Sequence, residues 1–180
     1  MYSTLITVAE LSRMIHDNAL CVIDCRFDLG EPSAGLSAYR HGHIPGAVYA
    51  DLEDDLSSAP NSDCGRHPLP TPEQMCETFA RLGISSAHQV VVYDDAGGMI
   101  AARAWWMLHY LGHSAAAVLD GSWRAWEASG AAIEAGENSA EPAKFQGTAR
   151  RSQLVIIDEV SKVENLIDAR DPQRYRGEVE

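Results

Sequence analysis

Two apolar runs, Leu20-Cys21-Val22-Ile23-Asp24-Cys25 and Gln89-Val90-Val91-Val92-Tyr93, lack the apolar–polar alternation of a half-exposed strand. That absence constrains the fold more than any other feature. A strand without alternation is covered on both faces, which is the condition of a parallel sheet sandwiched between helices. The rest of the chain supplies those helices. Thr7 with Glu10 three residues on forms a capping box ahead of Leu11, Met14 and Ile15. Thr71 as cap, Pro72 at the first helical position and Gly83 as stop predict a helix over 72–82. Further helices are predicted over 99–111 and 122–129, and further strands over 47–50 and 115–119. Residues 28–37, which contain Gly30, Pro32 and Gly35, are expected to be a polar insertion. Strands alternating with helices imply right-handed crossovers and an open α/β parallel sheet flanked by helices.

Composition narrows the function classes. Fourteen Lys and Arg against 26 Asp and Glu give a net charge of −12, so no nucleic-acid partner is expected without a local basic stripe, and none is visible. No apolar run approaches the roughly 20 residues of a membrane span. The opening residues lack the basic and apolar regions of a secretory signal. A soluble cytoplasmic protein with no membrane partner is therefore expected. Cysteine usage agrees with that setting. Cys21 and Cys25 lie four residues apart on one predicted strand. That is a separation of about 13 Å, beyond the roughly 7 Å limit for a disulfide and too long to share a zinc ion. Cys76 falls on the apolar face of a predicted helix with Phe79 and Ala80. Cys64, beside Arg66, is the only loop thiol with a basic neighbour, but no strand–helix frame surrounds it.

The chain also carries an incomplete internal repeat. Residues 155–162 echo 6–13, Leu166-Ile167-Asp168-Ala169-Arg170 echoes Val22-Ile23-Asp24-Cys25-Arg26, and Tyr175-Arg176-Gly177 echoes Tyr39-Arg40-His41, all in the same order. The expected organisation is a first domain over 1–133, a Gly-, Glu-, Ser- and Pro-rich linker over 134–153, and the truncated start of a second copy over 154–180.

Chemistry is expected where a strand ends, a loop turns and a helix begins, at residues 89–111. Backbone N–H groups of such a loop and helix start make an anion cradle, and a cysteine at its head would be held as thiolate. Asp94 and Asp95 stand there instead. A carboxylate can accept those N–H bonds itself and fill the cradle from within. His41, His43 and Asp51 raise the question of a metal; a third nitrogen or sulfur ligand is not evident, and a turn histidine bonded to backbone is the expected outcome. Neither a phosphate-binding glycine loop nor a nucleophile-elbow serine motif is present. Arg170, Arg174 and Arg176 form a basic cluster in an otherwise acidic chain.

These residues resemble a known family. Ile23-Asp24-Cys25-Arg26-Phe27-Asp28, Tyr39-Arg40-His41-Gly42-His43-Ile44-Pro45-Gly46-Ala47, His67-Pro68-Leu69-Pro70 and Val91-Val92-Tyr93-Asp94 are similar to segments of the tandem-domain rhodaneses, the thiosulfate and 3-mercaptopyruvate sulfurtransferases. Arg103-Ala104-Trp105-Trp106-Met107 and Leu119-Asp120-Gly121 with Ala125-Trp126 extend the resemblance, and the first of these points to the N-terminal member of a tandem pair. The resemblance implies two rhodanese-like domains packed on one another. It places catalysis on a cysteine of the second, which would take sulfur from a small anionic donor as a persulfide and pass it to a thiol or cyanide. No metal or organic cofactor is implied. Asp94 occupies the position of that cysteine in the first domain, so this domain is expected to be non-catalytic and the chain alone inactive. Arg174, preceding Tyr175, matches an arginine that binds the donor. The competing reading is a non-catalytic rhodanese-like binding or regulatory module. A phosphatase on the related fold would need a cysteine-headed, arginine-bearing loop, which Asp94 does not provide.

Overall fold

The structure is a computed structural model that describes residues 1–60 and 65–179. It divides into two compact units, 1–149 and 150–180. Cys64 lies outside the described residues.

The first unit is built on a five-stranded, all-parallel sheet. Its strands are β1 (Leu5–Ile6), β2 (Leu20–Asp24), β3 (Val48–Tyr49), β4 (Gln89–Tyr93) and β5 (Ala116–Leu119), in the spatial order β1-β5-β4-β2-β3. The two runs without alternation, β2 and β4, are adjacent inner strands, paired from Leu20 with Gln89 to Asp24 with Tyr93. Val22, Val91, Tyr93, Ala117 and Leu119 share one core with Leu11 and Trp126. Val90 and Val92 point the other way, as alternate strand residues must, and are fully buried too. Both faces are thus covered, as the missing alternation requires.

The helices are α1 (Val8–Met14), α2 (Ser33–His41), α3 (Pro72–Arg81), α4 (Ala101–Tyr110) and α5 (Ser122–Ala128). Thr7 and Thr71 each close a capping box, with Glu10 and Gln74. The arginine and tryptophans of α4 are anchors. Arg103 donates to the carbonyls of Leu56, His67 and Pro68 at 2.8–3.1 Å and so holds those residues together. Trp105 Nε1 bonds the carbonyls of Ser3 and Ala116, and Trp106 stacks on Tyr110.

Two expectations change. Residues 28–37 are not wholly an insertion, because Ser33 opens α2. Gly35 is there for close approach: a Cβ would stand 2.1 Å from the Arg26 carbonyl oxygen. The linker composition over 134–153 belongs, as far as 149, to a strap fixed on the first unit. Glu134 exchanges backbone bonds with His43, Ala143 N donates to Ala80 O, and Thr148 N to Leu111 O, at 2.8–2.9 Å. Phe145 is buried against Phe79.

The second unit contains 3-10 turns at Arg151–Gln153 and Ile157–Lys162 and a short helix, α6 (Pro172–Tyr175). Ile157, Leu166 and Ile167 are 87%, 72% and 86% exposed, so the echo of β2 forms no strand and buries no face.

Candidate functional site

The loop after β4 wraps around a side chain. Asp94 is fully buried, and its carboxylate accepts four backbone N–H bonds. Oδ1 takes those of Ala96 (3.0 Å) and Gly98 (2.8 Å). Oδ2 takes those of Ile100 (2.8 Å) and Ala101 (2.9 Å), the residues that open α4. Gly97 and Gly98, at φ of 72° and 92°, give the left-handed backbone that curls the loop back over the carboxylate. The arrangement is an anion cradle at a helix start, with the anion supplied by the chain itself. The donors that would stabilise an incoming oxyanion or thiolate are occupied.

Beside it, at the same end of the sheet, lies a network that the sequence reading did not single out. Arg26 grips Asp24 two residues back: Nε lies 3.1 and 3.0 Å from the two oxygens and Nη2 2.6 Å from Oδ2. Tyr93 O–H donates to Asp24 Oδ2 at 2.7 Å and accepts from Ile44 N–H at 3.2 Å. Arg26 also donates to Gly42 O and lies 4.5 Å from the Trp123 ring centroid, a cation–π contact. Trp123 N–H closes the circle on Asp94 O at 2.8 Å. Asp24 and Arg26 are 0% and 3% exposed, so a buried charged pair ties these segments together. The signal in the sequence was a carboxylate and a guanidinium two apart at the end of an apolar run, present twice.

The histidines separate. His43 is buried, bonds the Tyr39 carbonyl through Nδ1 at 2.8 Å and stacks on the Tyr39 ring, while its Nε2 faces Asn138 Nδ2 at 3.1 Å. This is the backbone-bonded turn histidine of the sequence reading. His41, which closes α2, is exposed, so the two do not face one side as they would on an extended segment. Asp51 accepts the N–H groups of Glu53 and Asp54 and organises its own turn. Cys25, fully buried, is no alternative nucleophile. Burial first, then the charges of Asp24, Asp94 and Asp55, pushes its thiol well above the ordinary range.

In the second unit, two arginines of the Arg170, Arg174 and Arg176 cluster are spoken for by nearby carboxylates. Arg170 grips Asp168 (2.5–2.9 Å), and Arg176 binds Glu178 (2.6 Å). Among the described residues Arg174, exposed on α6, has no ion-pair partner.

Comparison with known proteins gives this geometry a context. Residues 7–129 match the model of the rhodanese-like domain. The chain is 43% identical to a probable 3-mercaptopyruvate sulfurtransferase of Pseudomonas aeruginosa, over 98% of the chain and 64% of that protein. It is 39% identical to a putative thiosulfate sulfurtransferase of Mycobacterium tuberculosis, with the same coverage. Among solved structures, the 3-mercaptopyruvate sulfurtransferase of Leishmania major superposes with a TM-score of 0.83 at 28% identity, over 97% of this chain and 48% of that one. The chain thus spans about 64% of the length of these curated relatives. By its fold, its matched segments and these relatives, the chain belongs to the rhodanese-like family.

Proposed function

We propose that the protein of which this chain is the first domain and the start of a second is a sulfurtransferase. In this reading a cysteine in the second domain takes the outer sulfur of thiosulfate or 3-mercaptopyruvate as a persulfide and passes it to a thiol or cyanide. That nucleophile is not a residue of this chain. Asp94 carries the reading for the first domain: its carboxylate already accepts the four N–H groups that a catalytic thiolate would use, so the domain supports catalysis without performing it. Exposed Ile157, Leu166 and Ile167 support a second domain whose completed sheet buries them and packs on the first. No cofactor enters the scheme, and a cytoplasmic location belongs to it, since a persulfide-forming thiol must be kept reduced.

Arg174 is assigned to the donor. Both candidate donors are small anions, and a guanidinium binds two oxygens at once and stays charged at working pH. Its lack of an ion-pair partner among the described residues supports that role. Cyanide-dependent thiocyanate formation tests the proposal. The 180-residue chain turns over neither donor; turnover that vanishes in Cys64→Ser would identify a different nucleophile. In a protein of the relatives' full length, Arg174→Ala raises the donor KM and lowers kcat/KM roughly ten- to a hundredfold, the loss of one charge-assisted contact. Donor kinetics within twofold of wild type would remove Arg174 from the site.

A further inference from the structure

At the opposite end of the sheet from Asp94, a second thiol sits in a different setting. Cys21 is the second residue of β2, in register with Val90. Four residues of parallel strand, roughly 13 Å, separate that level from Asp94. Its Sγ lies 3.1 Å from His88 Nδ1 and 3.6 Å from the Gly83 carbonyl oxygen. His88 Nδ1 also accepts the Ser85 backbone N–H at 3.1 Å. A backbone amide can only donate, so this bond fixes the tautomer: Nδ1 is the unprotonated, basic nitrogen, and it faces the thiol. Nucleophile and base are thus within hydrogen-bond reach, and a neighbouring group orients the base.

The thiol also has somewhere to react. Cys21 lines a cavity of about 310 Å³ together with Gly46, Gly83, Asn138, Ser139 and Glu141. Leu20, Val22, Val48 and Leu82 give it apolar walls, and the strap contributes polar side chains. The only charged group in the lining is the Glu141 carboxylate, in a chain of net charge −12. Such a cavity admits a small molecule and favours a positive one.

We propose that Cys21 and His88 form a thiol–imidazole pair that exchanges with small cationic disulfides, making Cys21 a site of reversible covalent modification. The Cys21 S–H proton passes to His88 Nδ1, whose lone pair gives up its bond from the Ser85 N–H as it takes the proton. The thiolate sulfur attacks one sulfur of the disulfide, the S–S bond breaks, and the departing thiolate takes the proton from the imidazolium. The products are one mixed disulfide at Cys21 and one free thiol, with no net change of oxidation state. Burial pushes the Cys21 thiol up to about 11 with His88 in place, so the thiolate forms only as its proton passes to the imidazole. The chemistry is separate from the sulfur-transfer reading and stands or falls without it.

Cystamine is the probe, applied to the 180-residue chain carrying Cys64→Ser and Cys76→Ser, which leaves Cys21 and the fully buried Cys25. Intact mass with peptide mapping should show one cysteamine adduct, on Cys21. His88→Gln should slow it at least tenfold, and the dianionic dithiodiglycolate should react at least tenfold more slowly than cystamine at low ionic strength. An unmodified Cys21, an adduct on Cys25, or a wild-type rate in His88→Gln would overturn the proposal. If His88→Gln does not fold by circular dichroism, the charge comparison on the unaltered pair decides, and equal rates for the two disulfides overturn it.

Discussion

The same three-residue device occurs twice in this molecule, in opposite surroundings. Asp24 and Arg26 at the end of β2, and Asp168 and Arg170 in the second unit, adopt nearly the same clamp. The arginine N–H bonds its aspartate Oδ1 at 2.9 and 3.0 Å, and Nε and Nη2 close on both oxygens. The first clamp is buried, and Tyr93, Gly42 and the Trp123 ring make further contacts with it. The second is solvated, with the arginine side chain 56% exposed. Asp-x-Arg therefore encodes its geometry locally, whereas its energetic weight comes from what folds around it. A sequence repeat transmits the first property and not the second.

The sharpest way to break that comparison is to truncate both arginines. Arg26→Ala leaves the Asp24 carboxylate buried without its counter-charge, answered only by the Tyr93 hydroxyl and the backbone N–H of residue 26, and removing one partner of a buried pair costs about 3–5 kcal/mol. For a unit of this size that lowers the melting midpoint by roughly 10 °C. Arg170→Ala should leave the midpoint where it was, because water replaces the guanidinium. Thermal melts followed by circular dichroism check both. Equal effects would mean that burial is not what separates the two clamps.

A similar test applies to the filled cradle. Asp94→Ala strips four buried N–H groups of their acceptor, and the loss of a helix cap together with unmet donors costs about 2–4 kcal/mol by urea unfolding. Asp94→Cys asks whether the cradle still prefers an anion. The new thiol should ionise below the ~8.5 of a free cysteine, read from alkylation rate against pH. An ordinary value would mean the loop holds its shape only around a carboxylate.

Tyr93→Phe is milder. It removes the hydroxyl that donates to Asp24 and accepts from Ile44, while Arg26 remains on the carboxylate. About 1–2 kcal/mol is expected in the same unfolding measurement. A loss as large as that of Arg26→Ala would make the hydroxyl, and not the guanidinium, the group that holds Asp24.

The order of these effects also shows what the sequence could reveal. The covered sheet was legible because unbroken apolar runs leave no other arrangement, and the two capping boxes because Thr7-to-Glu10 and Thr71-to-Gln74 are contacts within one turn. Asp94 filling its own cradle was legible for the same reason, since all its donors lie within seven residues. The Tyr93–Asp24 bond spans 69 positions, and nothing in either residue's neighbourhood announces it. Helix α2 was missed because Gly35 looks like a breaker when its cause, the Arg26 carbonyl, lies elsewhere in the chain. The strap over 134–149 has a linker's composition because its anchors are backbone bonds and a few scattered polar side chains, such as Glu134 and Asn138, that form no periodic pattern.

The smallest effect isolates the local half of the comparison. The Arg170 guanidinium first, and its backbone N–H second, hold the Asp168 carboxyl down to about 2, against 3.8 for an unperturbed aspartate. A depressed folded value means the clamp contributes fully above the unfolded value and is lost as pH falls through about 2. Both groups are solvated, so global stability should not register this, but a carboxyl-carbon NMR titration will. Wild-type Asp168 should titrate near 2, and Arg170→Ala should move its midpoint most of the way to 3.8, stopping short because the backbone bond at 3.0 Å survives. High salt should move it the same way by weakening the ion pair. A wild-type midpoint already at 3.8 would mean that Asp-x-Arg does not close without a sheet around it, and its geometry in the first unit would then be a product of burial after all.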